Sequence, residues 1–184
     1  MTKVIFLDRD GVINKYPGDR NYVTSLKGFR FIRGAKKALR RLSQAGYTMF
    51  VISNQAGVTK GLYSGKTLDD ITRTMLKKLA TEKAYIQGVY YCIHREEDNC
   101  ACRKPKTGLI EKAILEHKIP KLSLKRSFFI GDTQRDIQAG KESGCRTIMV
   151  FSGKEKIANQ KDWEFQPDFT AKDLSHAADI ILNK

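Results

Sequence analysis

Val4-Ile5-Phe6-Leu7-Asp8-Arg9-Asp10-Gly11 is the stretch that decides the fold of this chain. Its apolar residues are partly β-branched and stop at an acidic tripeptide and a glycine. This pattern predicts a buried strand with two carboxylates at its C-terminal end. Ligands of open parallel sheets bind beyond the carboxyl ends of the strands, so Asp8 and Asp10 are candidate functional residues. From this stretch alone, an Asp-rich turn at a strand end is the alternative.

The rest of the chain alternates strand and helix patterns. Further strands are predicted over residues 48–52, 88–93, 127–130 and 147–151, and helices over residues 35–45, 68–83, 109–117, 134–143 and 174–182. Gly46 ends the first helix pattern, and Pro120 follows the third. The repeated β–α alternation predicts an α/β protein, a three-layer α/β/α sandwich with a central parallel sheet.

Length and charge set the outer bounds. The 184 residues suit a single domain over positions 1–184. No signal peptide and no run long enough to span a membrane is visible, so we expect a cytoplasmic protein with no membrane partner. The net charge of +14 can attract phosphorylated metabolites or nucleic acid. Because the basic residues are scattered, a solvated basic surface is favoured over a nucleic-acid stripe.

Polar residues follow three of the predicted strands. The first strand ends in Asp8, the second in Ser53 and the fourth in Asp132, so these side chains are expected on one rim of the sheet. Asp136 follows at the start of a helix, where by itself it could serve only the helix dipole. Together with Asp8, these acids form a hard-oxygen site suited to Mg²⁺.

A cluster of soft metal ligands follows the third strand. Cys92 lies at the end of that predicted strand, and the irregular stretch after it holds His94, Cys100 and Cys102. Together they match a tetrahedral Cys₃His zinc site, with Zn–S distances of about 2.3 Å. A disulfide is the alternative, and a cytoplasmic location disfavours it. Since protein ligands fill every position, the zinc is predicted to be structural and to stiffen the loop. The remaining thiol, Cys145, precedes a strand and is predicted to pack as a small hydrophobe.

Two cations come directly after the last zinc ligand. Arg103 and Lys104 lie next to the predicted carboxylate rim. Such a pair can bind phosphate, with Arg making two hydrogen bonds and Lys acting as a point charge. The sequence therefore predicts a phosphate site where the zinc loop meets the rim.

Four segments together resemble the motifs of the haloacid dehalogenase (HAD) superfamily of phosphatases. They are, in order, Asp8 to Asn14, Ser53-Asn54-Gln55, Cys102-Arg103-Lys104-Pro105 and Gly131-Asp132 to Asp136. The Cys-x-His and Cys-x-Cys pairs are similar to the zinc-bearing branch, which holds phosphatases of heptose bisphosphate and of histidinol phosphate. The resemblance implies a Rossmann-like HAD fold with a zinc-binding loop.

The resemblance also implies roles for individual residues. Asp8 is expected to be the nucleophile that forms an aspartyl-phosphate, and Asp10 the general acid and base. Ser53 and Lys104 are expected to hold phosphoryl oxygens. The implied ligands of Mg²⁺ are Asp8, the carbonyl group of Asp10 and Asp132, and Asp136 orients Lys104 or a metal-bound water. A last set is expected to bind substrate: Asn54, Gln55 and Arg103.

The connections that carry a cap domain in some relatives are short here, over residues 14–33 and 56–68. We therefore expect no cap domain and an open site on a monomer. The preferred substrate is expected to be a small phosphorylated metabolite, D-glycero-D-manno-heptose 1,7-bisphosphate ahead of histidinol phosphate. A nucleic-acid end phosphatase would need an aromatic stacking platform, which the sequence does not reveal. A non-catalytic zinc-bearing module would require the acids to be incidental.

Overall fold

The computed structural model describes residues 3–183, so positions 1, 2 and 184 of the predicted domain lie outside the described residues. The strands are β1 (Lys3–Leu7), β2 (Tyr47–Asn54), β3 (Gly88–Cys92), β4 (Phe128–Gly131), β5 (Arg146–Val150) and β6 (Phe169–Ala171). The helices are α1 (Ala35–Gln44), α2 (Gly65–Ala80), α3 (Gly108–Glu116), α4 (Lys121–Leu124), α5 (Gln134–Glu142) and α6 (Leu174–Leu182), with a 3₁₀ helix at Ile157–Asp162.

All six strands are parallel and form one sheet in the order β3-β2-β1-β4-β5-β6. The predicted α/β class and each of the five predicted strands are confirmed. The structure adds β6, a three-residue edge strand whose neighbour in the sheet is β5. It also starts α2 at Gly65, three residues before the predicted start, because the Ser64 side chain accepts a hydrogen bond from the backbone of Thr67 and caps the helix.

Alternate residues of the strands divide the core into two main halves. Ile5 and Leu7 of β1 belong to a cluster with α1, α2 and α6, whereas Val4 and Phe6 belong to a second cluster with α3 and α5. This division follows from the two-residue period of a strand, which sends neighbouring side chains to opposite faces. Helices therefore cover both faces of a sheet whose central strands are buried along most of their length, as the predicted three-layer architecture requires.

The strand order reverses beside β1, which pairs with β2 on one side and β4 on the other. In open α/β sheets this reversal opens a crevice at the carboxyl ends of the strands. The connections that follow β1 and β2 contain only turns and isolated bridges, so no cap domain is present within residues 3–183. None of the described helices combines the length and apolarity that a membrane crossing needs.

Candidate active site

Three buried carboxylates and one ammonium group meet at this crevice. Asp8 follows β1, Asp132 follows β4, and Asp136 lies in the first turn of α5; ligand oxygens of the three lie within 4.8 Å of one another. The Lys104 ammonium lies 3.0 Å from Asp8 Oδ1 and 2.6 Å from Asp136 Oδ1, and it donates to the Ile52 carbonyl at 2.7 Å. Lys104 therefore bridges two of the acids and the end of β2.

Burial and mutual repulsion act on the ionisation of this cluster. Burial raises the pKa of Asp8 to about 6, although Lys104 opposes the rise, and Asp136 adds to it. Burial, followed by the charges of Asp136 and Asp8, also holds the pKa of Asp132 well above its usual range. Burial lowers the pKa of Lys104, but Asp136 and Asp8 outweigh it and raise that pKa above its ordinary value. The cluster thus carries more negative charge than Lys104 neutralises.

These donors fit a Mg²⁺ ion, because Mg²⁺ binds through one or two carboxylates, water and substrate phosphate. Both oxygens of Asp136 are occupied: Oδ1 contacts Lys104, and Oδ2 accepts from the Asp132 and Thr133 backbone amides at 3.2 and 3.0 Å. Asp132 has one oxygen, Oδ2, accepting from the Lys154 amide at 2.8 Å. A divalent cation held by Asp8 and Asp132 would offset their charge, while Asp136 fixes Lys104 beside them.

Asp10 and Gln55 form a second polar group beside this cluster. Arg9 and Gln55 both donate to the carboxylate of Asp10, and the Gln55 amide also contacts Ser53 Oγ at 3.2 Å. Gln55 is wholly buried and, unlike Asn54, does not line the cleft. Asn54 lies at the cleft wall and exchanges two hydrogen bonds of 3.1 Å with the backbone of Lys104, which ties β2 to the phosphate-site lysine.

A cleft of about 390 Å³ opens above the acids. Five of the residues that the sequence analysis singled out line it: Asp8, Asp10, Ser53, Arg103 and Lys104. Asn54, Asp132 and Asp136 line it as well, together with residues that the sequence analysis did not single out: Tyr16, Pro17, Asn21, Tyr22, Thr133, Gln134, Arg135, Lys154 and Glu155. The structure thus gathers phosphate-binding cations and carboxylates in one open crevice.

The predicted zinc ligands also come together. Sγ of Cys92 lies 3.6 Å from Sγ of Cys100 and 3.1 Å from Sγ of Cys102, and Nδ1 of His94 lies 3.2 Å from the latter. In a tetrahedron with bonds of about 2.3 Å, ligand atoms lie about 3.7 Å apart, close to these spacings. The cysteines are free thiols rather than a disulfide. The group therefore fits a four-coordinate zinc.

Two contacts join the zinc loop to the cleft. Arg103 Nη1 donates to the backbone carbonyl of His94 at 3.3 Å, and Glu96 pairs with Arg135 of α5 at 2.7 Å. The loop thereby holds Arg103 at the cleft wall. Cys145 lies elsewhere, packed in the core, where burial raises the pKa of its thiol to about 12, so its predicted structural role is confirmed.

Comparisons with known proteins agree with this geometry. Residues 101–177 match the family model described as HAD-hydrolase-like. The D-glycero-β-D-manno-heptose-1,7-bisphosphate 7-phosphatase of Helicobacter pylori strain 26695 is 40% identical over 180 residues, 97% of each chain. The corresponding α-anomer enzyme of Campylobacter jejuni is 37% identical over 155 residues, 84% of this chain and 86% of its own.

A solved structure is similar over nearly the whole chain. The D,D-heptose 1,7-bisphosphate phosphatase from B. bronchiseptica, complexed with magnesium and phosphate, superposes with a TM-score of 0.86 at 30% identity and covers 99% of both chains. The protein therefore belongs to the HAD-like hydrolases and, within them, to the family of the heptose-1,7-bisphosphate 7-phosphatases.

Proposed function

We propose that the protein is a Mg²⁺-dependent phosphatase that removes the 7-phosphate of D-glycero-D-manno-heptose 1,7-bisphosphate through an aspartyl-phosphate. The observation that carries this proposal is the meeting of Asp8, Lys104 and Asp132 at the reversal of strand order, in an open cleft. The names of the relatives supply the substrate.

Asp8 is the proposed nucleophile, since its carboxylate faces the cleft with Lys104 beside it. Lys104 and Ser53 hold phosphoryl oxygens, and Asp136 keeps the ammonium group in place. Asp10 gives a proton to the departing sugar oxygen and later takes one from water. Asn54 contributes to phosphate binding indirectly, because its side chain accepts a hydrogen bond from the Lys104 backbone amide and so helps to position Lys104.

The proposed Mg²⁺ ligands are the carboxylates of Asp8 and Asp132 and the carbonyl group of Asp10. A bound Mg²⁺ supplies positive charge between the nucleophile and the phosphoryl oxygens. The zinc is assigned a structural role at Cys92, His94, Cys100 and Cys102. Thiolate ligands suit a reducing compartment, which supports a cytoplasmic location. A monomeric state is also proposed.

Arg103 is the proposed contact for the second phosphate of the substrate. It lies half-buried at the cleft wall, where its guanidinium can meet an anion that stays in water. A charge-assisted hydrogen bond is worth about 1.5 to 3 kcal/mol, and each 1.4 kcal/mol is about a factor of ten. A bisphosphate should therefore be preferred over histidinol phosphate, whose distal amine is cationic, by roughly ten- to a hundredfold.

The test is phosphate release from both anomers of the heptose bisphosphate, from histidinol phosphate and from a 5′-phosphorylated oligonucleotide. The wild-type enzyme should prefer the bisphosphate and require Mg²⁺. The Asp8→Asn and Asp10→Asn variants should each be less active than wild type by several powers of ten. Arg103→Ala should lose more kcat/KM on the bisphosphate than on histidinol phosphate, and Lys66→Ala, an exposed cation on α2, should lose none. Turnover by Asp8→Asn within tenfold of wild type would refute the mechanism. A wild-type preference for histidinol phosphate or the oligonucleotide would refute the substrate.

A further inference from the structure

Arg9 is a charged residue whose side chain is wholly buried. It lies between Asp8 and Asp10, which line the cleft, whereas Arg9 does not. A guanidinium withdrawn from water destabilises a protein unless it is paired and hydrogen-bonded. A side chain this well buried beside two functional acids is expected to have a specific partner.

The partner is Asp10. Arg9 Nε and Nη2 donate to Asp10 Oδ1 at 3.2 and 3.0 Å, and Nη2 lies 3.0 Å from Oδ2 as well. The guanidinium also lies 5.7 Å from the centre of the Tyr91 ring. A planar guanidinium holds both the position and the plane of a carboxylate, which a single ammonium group cannot do.

Two amides complete this arrangement around Asp10. Gln55 Nε2 donates to Asp10 Oδ2 at 2.9 Å, and Asn14 Nδ2 donates to Oδ1 at 2.8 Å. The Gln55 amide is itself oriented, because its Oε1 accepts from Arg9 Nη2 at 3.0 Å and from the Tyr63 hydroxyl at 2.7 Å. Each of these donors approaches Asp10 from the protein interior, so the carboxylate is fixed from behind and not by the cleft.

We propose that Arg9, supported by Gln55 and Asn14, is a positioning residue that holds the Asp10 carboxylate where it can exchange protons with the substrate oxygen and the attacking water. The inference rests on the proposed function. It adds Arg9 to the residues on which catalysis depends. It also assigns Gln55 to the positioning of Asp10, in place of the substrate contact expected from the sequence.

The chemistry identifies what misplacement of Asp10 would change. In the first step an Asp8 oxygen attacks phosphorus, and the P–O ester bond breaks with its electron pair going to the sugar oxygen, which takes the Asp10 proton. In the second step a water oxygen attacks phosphorus and gives its proton to Asp10, and the P–O bond to Asp8 breaks to release phosphate. An ester whose leaving group departs without a proton needs Asp10 in the second step only.

Rapid-mixing kinetics of Arg9→Met with two esters tests this assignment. Phosphorylation of Asp8 by heptose bisphosphate should slow by roughly 30- to 100-fold, because general acid catalysis contributes about 10²- to 10⁴-fold and misplacement removes part of it. Phosphorylation by p-nitrophenyl phosphate should change by less than about threefold, because nitrophenolate departs without a proton. Slow hydrolysis of the intermediate should then give a burst of about one nitrophenolate per enzyme.

Four variants calibrate the result. Asp10→Asn should show the same pattern with a larger loss, and Asp8→Asn should give no burst with either ester. Arg9→Lys keeps the charge without the planar fork and should fall between wild type and Arg9→Met. Arg41→Met removes an arginine that pairs with Asp179 at 2.6 Å, and it should leave both rates unchanged.

If Arg9 had a purely structural role, Arg9→Met would slow the phosphorylation of Asp8 by both esters by the same factor, and that result would overturn the proposal. An unchanged rate of phosphorylation by heptose bisphosphate would also overturn it. If Arg9→Met does not fold, the same two esters are compared in Gln55→Leu. This substitution changes no charge and removes the hydrogen bond that Gln55 donates to Asp10, so it tests the positioning of Asp10 in the same way. Turnover by Asp8→Asn would instead overturn the proposed function, which keeps the two failures distinguishable.

Discussion

Asp8→Asn should abolish activity and at the same time stabilise the Mg²⁺-free protein. Asp8 is 9% exposed, and burial raises its pKa from an ordinary 3.8 to about 6, so the folded state favours the neutral form of this group. At 1.36 kcal/mol per pKa unit, ionised Asp8 lowers the free energy of unfolding by about 3 kcal/mol. An amide of the same shape avoids this loss and keeps an oxygen for Lys104.

The pH dependence has a defined sign. The stability that comes from neutral Asp8 is complete below pH 3.8 and is lost as the pH rises through about 6, because the folded state binds the proton more tightly than the unfolded chain. The advantage of Asp8→Asn should therefore be about 3 kcal/mol at pH 7.5 and about half of that at pH 5. Mg²⁺ should reduce it, because the ion binds only the wild-type carboxylate well.

Equilibrium urea unfolding with zinc retained and Mg²⁺ omitted measures this difference at both pH values. Asp69→Asn, an exposed position on α2, is the matched control and should change stability by less than about 0.5 kcal/mol. A wild-type protein at least as stable as Asp8→Asn at pH 7.5, or a stability difference that does not shrink at pH 5, would contradict the raised pKa of Asp8.

Three further changes test the two metal sites and the buried lysine. Cys100→Ser should release zinc and lower Tm, and elemental analysis that still finds one zinc per chain would contradict the cluster assignment. Gly153→Ala should weaken Mg²⁺ binding roughly tenfold in calorimetric titration, because its Cβ would clash with the carboxylate of Asp132; an unchanged Kd would contradict the role of Asp132 as a rigidly held ligand. Lys104→Met should lower the free energy of unfolding by about 3 to 5 kcal/mol, since it leaves Asp8 and Asp136 buried without their cation. Urea unfolding that shows no loss would contradict that pairing.

Most of the fold was predictable because its strands are uninterrupted apolar runs that end in polar residues. Residues 4–7 and 128–130 carry this pattern, and both runs lie within strands of the structure. The edge strand Phe169–Ala171 was not predicted, because three residues carry too little pattern, and β6 depends on its pairing with β5. The one-turn helix Lys121–Leu124 was missed for the same reason, since it spans only four residues.

The predicted nucleophile and metal ligands were easier to recognise in the sequence than the residues that surround them. Asp8, Asp132 and the zinc ligands were recognisable because their chemical types recur at strand ends or at short spacing. The contacts of Gln55 were not, because its amide meets Arg9 and Asp10 across 46 and 45 residues of chain. Residue types at short spacing indicate which chemistry a segment can perform. Whether a given side chain faces the substrate depends instead on packing between segments that are distant in sequence.

The two acids of the first motif show why that packing matters for function. Asp8 and Asp10 are identical side chains two residues apart, yet Asp8 contacts the Lys104 ammonium beside the cleft, and Asp10 accepts hydrogen bonds from Arg9, Gln55 and Asn14. Environments this different assign separate tasks to two carboxylates. A nucleophile needs an approach that stays open to the substrate, while a group that moves protons in both steps needs a fixed position. The residue between the two acids, Arg9, lies on the interior side of Asp10 and can supply that fixed position without occupying the cleft.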